Sequence, residues 1–152
     1  MEAAIRIAIL DDYQQVALQF ADWSGIKEKA TVETFSDHLD NEDELADRLQ
    51  AFQVICIMRE RTPFKRSLLG RLPNLKLIVS TGQRNASLDT EACKELGIEV
   101  AMTAYFEGGA PELTWALLMA LARKIPAEVE NMKHGGWQTT VGTATPTPTS
   151  VS

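Results

Sequence analysis

The sequence is marked first by what it does without: two cysteines, two histidines, and nine glycines that form no GxG pair in 152 residues. Cys56 falls in an expected strand and Cys93 in an expected helix, with no CxxC or ligand spacing, so both read as reduced packing residues. No His, Cys or carboxylate cluster has metal-ligand spacing, so no metal is expected. Without a GxG pair, the glycine fingerprint that cradles a dinucleotide pyrophosphate is missing. Lys and Arg number 15 against 21 Asp and Glu, giving a net charge of −6 and a pI near 4.9. That balance argues against a nucleic-acid or anionic-membrane surface, which needs clustered basic residues. A small anion held in a local basic pocket stays open. No apolar run approaches membrane-spanning length, and Met1 to Arg6 lacks the basic start and apolar core of a secretory signal, so a cytoplasmic protein is expected.

What the sequence does have is a 45% hydrophobic content, enough for one good core. Short apolar runs alternate with helical patterns. Strands are expected at Ile5–Leu10, Thr31–Phe35, Val54–Met58, Leu75–Val79 and Ile98–Met102. The run at Leu75–Val79, bounded by Pro73 and by Ser80-Thr81-Gly82, suits a strand buried on both faces. Gln14–Ala21 has an apolar helical face, over which Trp23 and Ile26 would close. Asn41 and Glu44 have capping-box spacing ahead of Leu45, Ala46, Leu49 and Phe52. A short helix is expected around Lys65–Leu69, and Asp89 can cap a helix over Thr90–Leu96 that Gly97 stops. After Gly108 and Gly109, Glu112–Arg123 is apolar almost all round, with Ala127–Lys133 extending it past a kink at Pro126.

Strands and helices in this alternation predict a flavodoxin-like, doubly wound, five-stranded parallel sheet of order 2-1-3-4-5, followed by a long apolar C-terminal helix. Ligands of such sheets bind beyond the carboxyl ends of the strands. That rule selects Asp11–Tyr13, Arg59–Thr62 and Ser80–Asn85 as one rim. Asp11 and Asp12 at the first strand end also suggest a phosphorelay receiver. That reading needs an aspartate ending the third strand and a lysine ending the fifth, where Met58-Arg59 and Met102-Thr103 stand.

The run IVSTGQRNASLDTEACKELGIEV, then GGAPELTWALLMALARKIP and GGWQTTVG, resembles the N-terminal, substrate-binding half of the D-isomer-specific 2-hydroxyacid dehydrogenases, over Ile5 to about Thr143. The resemblance implies two doubly wound domains with a small 2-hydroxy or 2-oxo acid held between them, and NAD or NADP as cofactor. It implies that the loop at Ser80, Thr81 and Gly82 presents backbone amides to the substrate carboxylate, with Gly82 allowing close approach. Arg59, Arg84 and Asn85 complete the expected substrate-binding set; Arg84 could equally pair with a rim acid such as Glu60. Many members carry a second glycine and an Asp-Asn pair where this sequence has Arg84, Ala86 and Ser87, which leaves the particular acid open.

Family members continue past the Gln138–Thr143 match into a dinucleotide-binding domain. Here the sequence reads ATPTPTSVS, a tail expected to be disordered. The expected division is a substrate domain at 1–109, an interdomain or dimerisation helix and link at 110–142, and a tail at 143–152. The family's catalytic histidine, its carboxylate partner and its clamping arginine match nothing here. His38, in an acidic loop, and His134, at a helix end, read as solvated residues. The chain alone is therefore expected to have no catalytic residues and no NAD(P) site, and to be silent. A homodimer through the helix at 111–124 would cover its apolar surface. The alternative function is a non-catalytic oligomerisation or small-anion-sensing module.

Overall fold

The computed structural model describes residues 4–104 and 107–143. It divides into two compact units, Met1–Tyr105 and Phe106–Ser152. The tail expected to be disordered lies, apart from Thr143, outside the described residues.

The first unit holds β1 (Ile5–Ile9), α1 (Ser24–Lys27), β2 (Ala30–Thr34), α2 (Glu42–Leu49), β3 (Val54–Ile57), α3 (Arg66–Leu69), β4 (Leu77–Ser80), α4 (Thr90–Glu95) and β5 (Glu99–Met102). The sheet is parallel throughout, in the order β2-β1-β3-β4-β5 predicted from the alternation. Successive strand residues face opposite sides, so each apolar run divides between two faces. Ala8, Ile55, Ile57 and Ile78 point to the face packed by Leu45, Ala46 and Leu49 of α2, Leu68 and Leu69 of α3, and Ala92 and Cys93 of α4. Phe52 and Phe64 are buried in the same cluster, each side chain contributing about 1.5–3 kcal/mol by leaving water.

The opposite face corrects the expectation of strands buried on both sides. Val54, Cys56, Leu77 and Val79 stay half-buried and Ile5 is exposed within this unit. Ala17 and Phe20, of a segment expected to be helical, line a cavity on this face with Cys56 and Val79. Gln14–Ala21 is not the expected helix but a run of turns. The Asp12 carboxylate accepts the N–H groups of Val16 and Ala17 at 3.0 and 3.1 Å, and Gln15 takes a left-handed φ of 56°. A short acid that binds nearby backbone N–H groups offers the chain an alternative to the helix, and here the alternative wins. Trp23 is anchored over this segment by its indole N–H to the Ala17 carbonyl at 3.1 Å.

Caps behave as their residue types require. Asn41 Oδ1 accepts from the N–H groups of Asp43 and Glu44 at α2, and Asp89 Oδ1 from that of Ala92 at α4.

The second unit contains α5 (Gly109–Ala122) and α6 (Ile125–Lys133). The break between them falls two residues earlier than expected: Lys124 adopts φ 55°, and Pro126 sits in the first turn of α6, where its missing N–H has no partner to lose. Residues after α6 fold back along it. The Glu128 carboxylate accepts from the amides and hydroxyls of Thr139 and Thr140, which hold its pKa below the usual carboxylate range, Thr140 most of all. A Cβ at Gly136 would meet the Asn131 side-chain amide, which would have to swing away from the Trp137 carbonyl that it holds.

Candidate functional site

The carboxyl ends of β1, β3 and β4 are laced into one rim. Leaving β3, Arg59 adopts a left-handed φ of 54°, which turns its amide onto Thr81 Oγ1 at 3.0 Å and its carbonyl onto Asn85 Nδ2 at 2.6 Å. Leaving β4, Thr81 donates its own amide to the Ile57 carbonyl at 3.1 Å, continuing the sheet by one bond. Gly82 follows at φ 92°, a conformation that L side chains rarely adopt. A Cβ there would meet Arg59 Nη1 at 3.4 Å, so the guanidinium lies directly against the glycine backbone.

The six residues expected to bind substrate do not play equal parts. Ser80 is fully buried, and its hydroxyl accepts from Asn85 Nδ2 at 3.1 Å. Asn85, itself buried, also accepts the Ser87 amide at 2.9 Å. These two lock the loop from inside and present nothing to a ligand. The Thr81 amide is committed to the sheet, and the Gly82 amide donates to Thr103 Oγ1 at 3.0 Å. The two amides that follow, of Gln83 and Arg84, donate no hydrogen bond among the described residues, and both residues are exposed. An anion at this loop would therefore meet the Gln83 and Arg84 amides, with Gly82 adding its own by releasing a hydroxyl. The sequence could not reveal this one-residue displacement, because which amides the sheet consumes depends on register. Arg59 and Arg84 flank the loop, and Glu60 lies 3.9 Å from Arg59 Nε, leaving Arg84 without a salt bridge among the described residues.

Beside this loop lies a cluster in which His38 joins residues of the expected rim. Asp11, 1% exposed, stands at φ 57° just beyond β1. Its carboxylate accepts from Thr62 Oγ1 at 2.7 Å and Tyr13 Oη at 3.2 Å, and lies 2.9 Å from His38 Nδ1. Its carbonyl accepts Arg61 Nη1 at 2.6 Å, and the Arg61 guanidinium lies 4.5 Å over the Tyr13 ring. His38 is therefore a partner of a buried acid, not a solvated loop residue. The hydrogen bond to Asp11 raises its pKa above the ordinary imidazole value, against the opposing effect of burial. Burial, reinforced by Asp11, likewise raises that of Tyr13. His134 does face solvent, its Nδ1 2.9 Å from the Glu130 carbonyl. The strand-end rule had selected Asp11–Tyr13 and Arg59–Thr62 as parts of one rim, while no sequence signal brought His38 to it.

Other chemistries find little support. Burial pushes the Cys56 thiol up to about 11 and raises that of Cys93, so neither supplies a thiolate near neutral pH. No group of three His, Cys, Asp or Glu side chains among the described residues could hold a metal ion. No helix among them is long and apolar enough to cross a membrane.

These features define a class: an open parallel α/β domain whose strand-end loop leaves two successive amides unbonded among the described residues. The chain belongs to the D-isomer specific 2-hydroxyacid dehydrogenases, whose catalytic-domain profile matches residues 7–139. It is 28% identical over 134 residues to a D-3-phosphoglycerate dehydrogenase of Methanocaldococcus jannaschii, covering 88% of this chain and 24% of that one. It is 29% identical over 139 residues to a hydroxypyruvate reductase of Thermotoga maritima, covering 90% and 42%. A solved phosphoglycerate oxidoreductase from Vibrio cholerae O395 matches it with a TM-score of 0.80 at 34% identity, over 91% of this chain and 45% of that one. The chain thus spans under half the length of these relatives.

The family is NAD-dependent. No GxG pair is present to cradle a dinucleotide pyrophosphate. The N-terminal amides of α2 and α4 are closed by their own Asn41 and Asp89 caps, with acids Glu42, Asp43, Glu44 and Glu91 in the first turns, where a pyrophosphate would be repelled.

Proposed function

We propose that this chain is the substrate-binding half of a D-2-hydroxyacid oxidoreductase, holding a small 2-hydroxy or 2-oxo acid by its carboxylate and silent in hydride transfer by itself. The observation that carries the reading is the pair of uncommitted amides at Gln83 and Arg84, beside Gly82, against whose backbone the Arg59 guanidinium lies. Successive amides at a strand end can accept a carboxylate, and the guanidinium of Arg84 can add a charge-assisted bond. The reduced state of Cys56 and Cys93 fits a cytoplasmic setting. Hydride transfer requires a positioned nicotinamide, and the sequence has no GxG pair to cradle its pyrophosphate.

The test is a titration of the isotope-labelled chain with glyoxylate, with NADH oxidation followed in parallel. Amide shifts confined to Gly82–Asn85 are expected, together with about tenfold weaker binding in Arg84→Ala, the loss of one charge-assisted hydrogen bond. Absence of those shifts removes the binding reading, and NADH turnover by the chain alone removes the claim of silence.

A second reading, self-association, rests on α5. Leu113, Trp115, Leu117, Leu118 and Leu121 are all at least half exposed, and a second copy of the chain would cover them.

A further inference from the structure

Two joints connect the buried acid at the end of β1 to the candidate carboxylate loop, and both run through one short segment. At the first, Arg61 and Thr62 hold the Asp11 carbonyl and carboxylate at 2.6 and 2.7 Å. At the second, two residues back along the chain, Arg59 grips Thr81 Oγ1 with its amide and Asn85 with its carbonyl. Asp11 and Arg59 are both non-glycine residues in the left-handed region, at φ 57° and 54°. Such conformations persist only where surrounding bonds hold them. Each therefore depends on the segment between them.

We propose that Asp11 is a positioning residue for the loop at 80–85, and that the charge on His38 sets how firmly Asp11 holds it. The proposal rests on the substrate-half reading for its purpose, but not for its test. With the imidazolium in place, Asp11 Oδ1 is shared between a cation and Tyr13, and Oδ2 is left to Thr62. Once the cation is lost, the carboxylate draws more strongly on Thr62 and Tyr13, and the Arg59–Thr62 segment moves with them. The Thr81 and Asn85 contacts pass that movement to the amides of Gly82, Gln83 and Arg84.

Other charges face His38 and bear on its titration. Asp40 Oδ1 lies 3.3 Å from Nε2 but is almost wholly exposed. Asp37, next in sequence, is paired with Arg48 of α2 at 2.7 Å. Glu42 at the start of α2 shares the shallow cleft beside the ring with Leu45 and Pro63. Arg61, across Asp11, is turned onto the Tyr13 ring. Asp11 and Asp40 both favour the charged imidazole, in keeping with the raised His38 pKa.

The experiment is a pH titration of the labelled full chain between about pH 5 and 9, following both imidazole rings and the amides of Thr62 and residues 81–84. The sequence has two histidines, so His134→Gln assigns the His38 signal at once. The 81–84 amides are expected to move with the His38 midpoint and to lie flat across that window in His38→Gln. In Asp11→Asn the midpoint should fall toward the ordinary imidazole value and the coupling should vanish. Should Asp11→Asn fail to fold, His38→Gln, a change at a partly exposed loop, decides alone. Amides at 81–84 that stay flat in the wild-type chain while residues 36–40 titrate would overturn the proposal. The readout needs no ligand, so failure of glyoxylate to bind would count against the substrate-half reading alone.

Discussion

Protonating His38 sets a cation against the Asp11 carboxylate, and the folded protein binds that proton more tightly than the unfolded chain does. The sign of the stability effect follows. A raised folded pKa contributes stability that is fully present below the unfolded value of about 6.5 and is lost as pH rises through the folded midpoint. The difference in melting temperature between wild type and His38→Gln should thus be widest below about pH 6 and narrow toward pH 9. Some difference should remain at high pH, because a neutral imidazole can still donate from Nδ1. A gap that widens with pH would contradict the geometry. At this scale the sequence was least legible. Arg59, Thr81, Gly82 and Arg84 can be picked out by residue type, but burial of Ser80 and Asn85 follows from strand register. The Asp11–His38 bond joins residues 27 apart in sequence, across a turn that no local pattern specifies.

Elements were legible in proportion to how local their causes are. The Asn41 cap and the Leu45, Ala46 and Leu49 stripe lie within one stretch, and α2 forms there with all three apolar residues buried. Asn41→Ala should cost about 1 kcal/mol, by orphaning the Asp43 and Glu44 amides, and chemical denaturation with an unchanged m-value would show it. An unchanged midpoint would mean that water replaces the cap at no cost. The failure at Gln14–Ala21 has an equally local cause that periodicity does not see. Its apolar spacing suits a helix, but the Asp12 carboxylate takes the Val16 and Ala17 amides. For the α5–α6 junction, Pro126 was a true marker placed in the wrong role: it begins α6, while Lys124 makes the turn.

At the scale of the whole molecule, family and sheet order were legible because both depend on the succession of elements, which survives errors in any one of them. Assembly is another matter, since it depends on which apolar surfaces find cover. On α5, Leu113, Trp115, Leu117 and Leu121 are each more than 60% exposed. Burying such a side chain is worth about 1.5–3 kcal/mol, so four of them together rival the 5–15 kcal/mol stability of an ordinary domain. Patches of this kind on soluble chains mark interaction surfaces. The proposed occupant is a second copy of α5, which carries Glu112 as its one charged residue and so offers an apolar partner with little charge to desolvate. Light scattering should then give twice the 16.8 kDa chain mass for wild type and a single chain mass for Leu117→Glu, with NADH changing neither. A wild-type monomer would remove the self-association reading. A dimer that survives Leu117→Glu would move the interface off this helix, while the Gly82–Arg84 amides would still stand or fall by their own titration with a carboxylate.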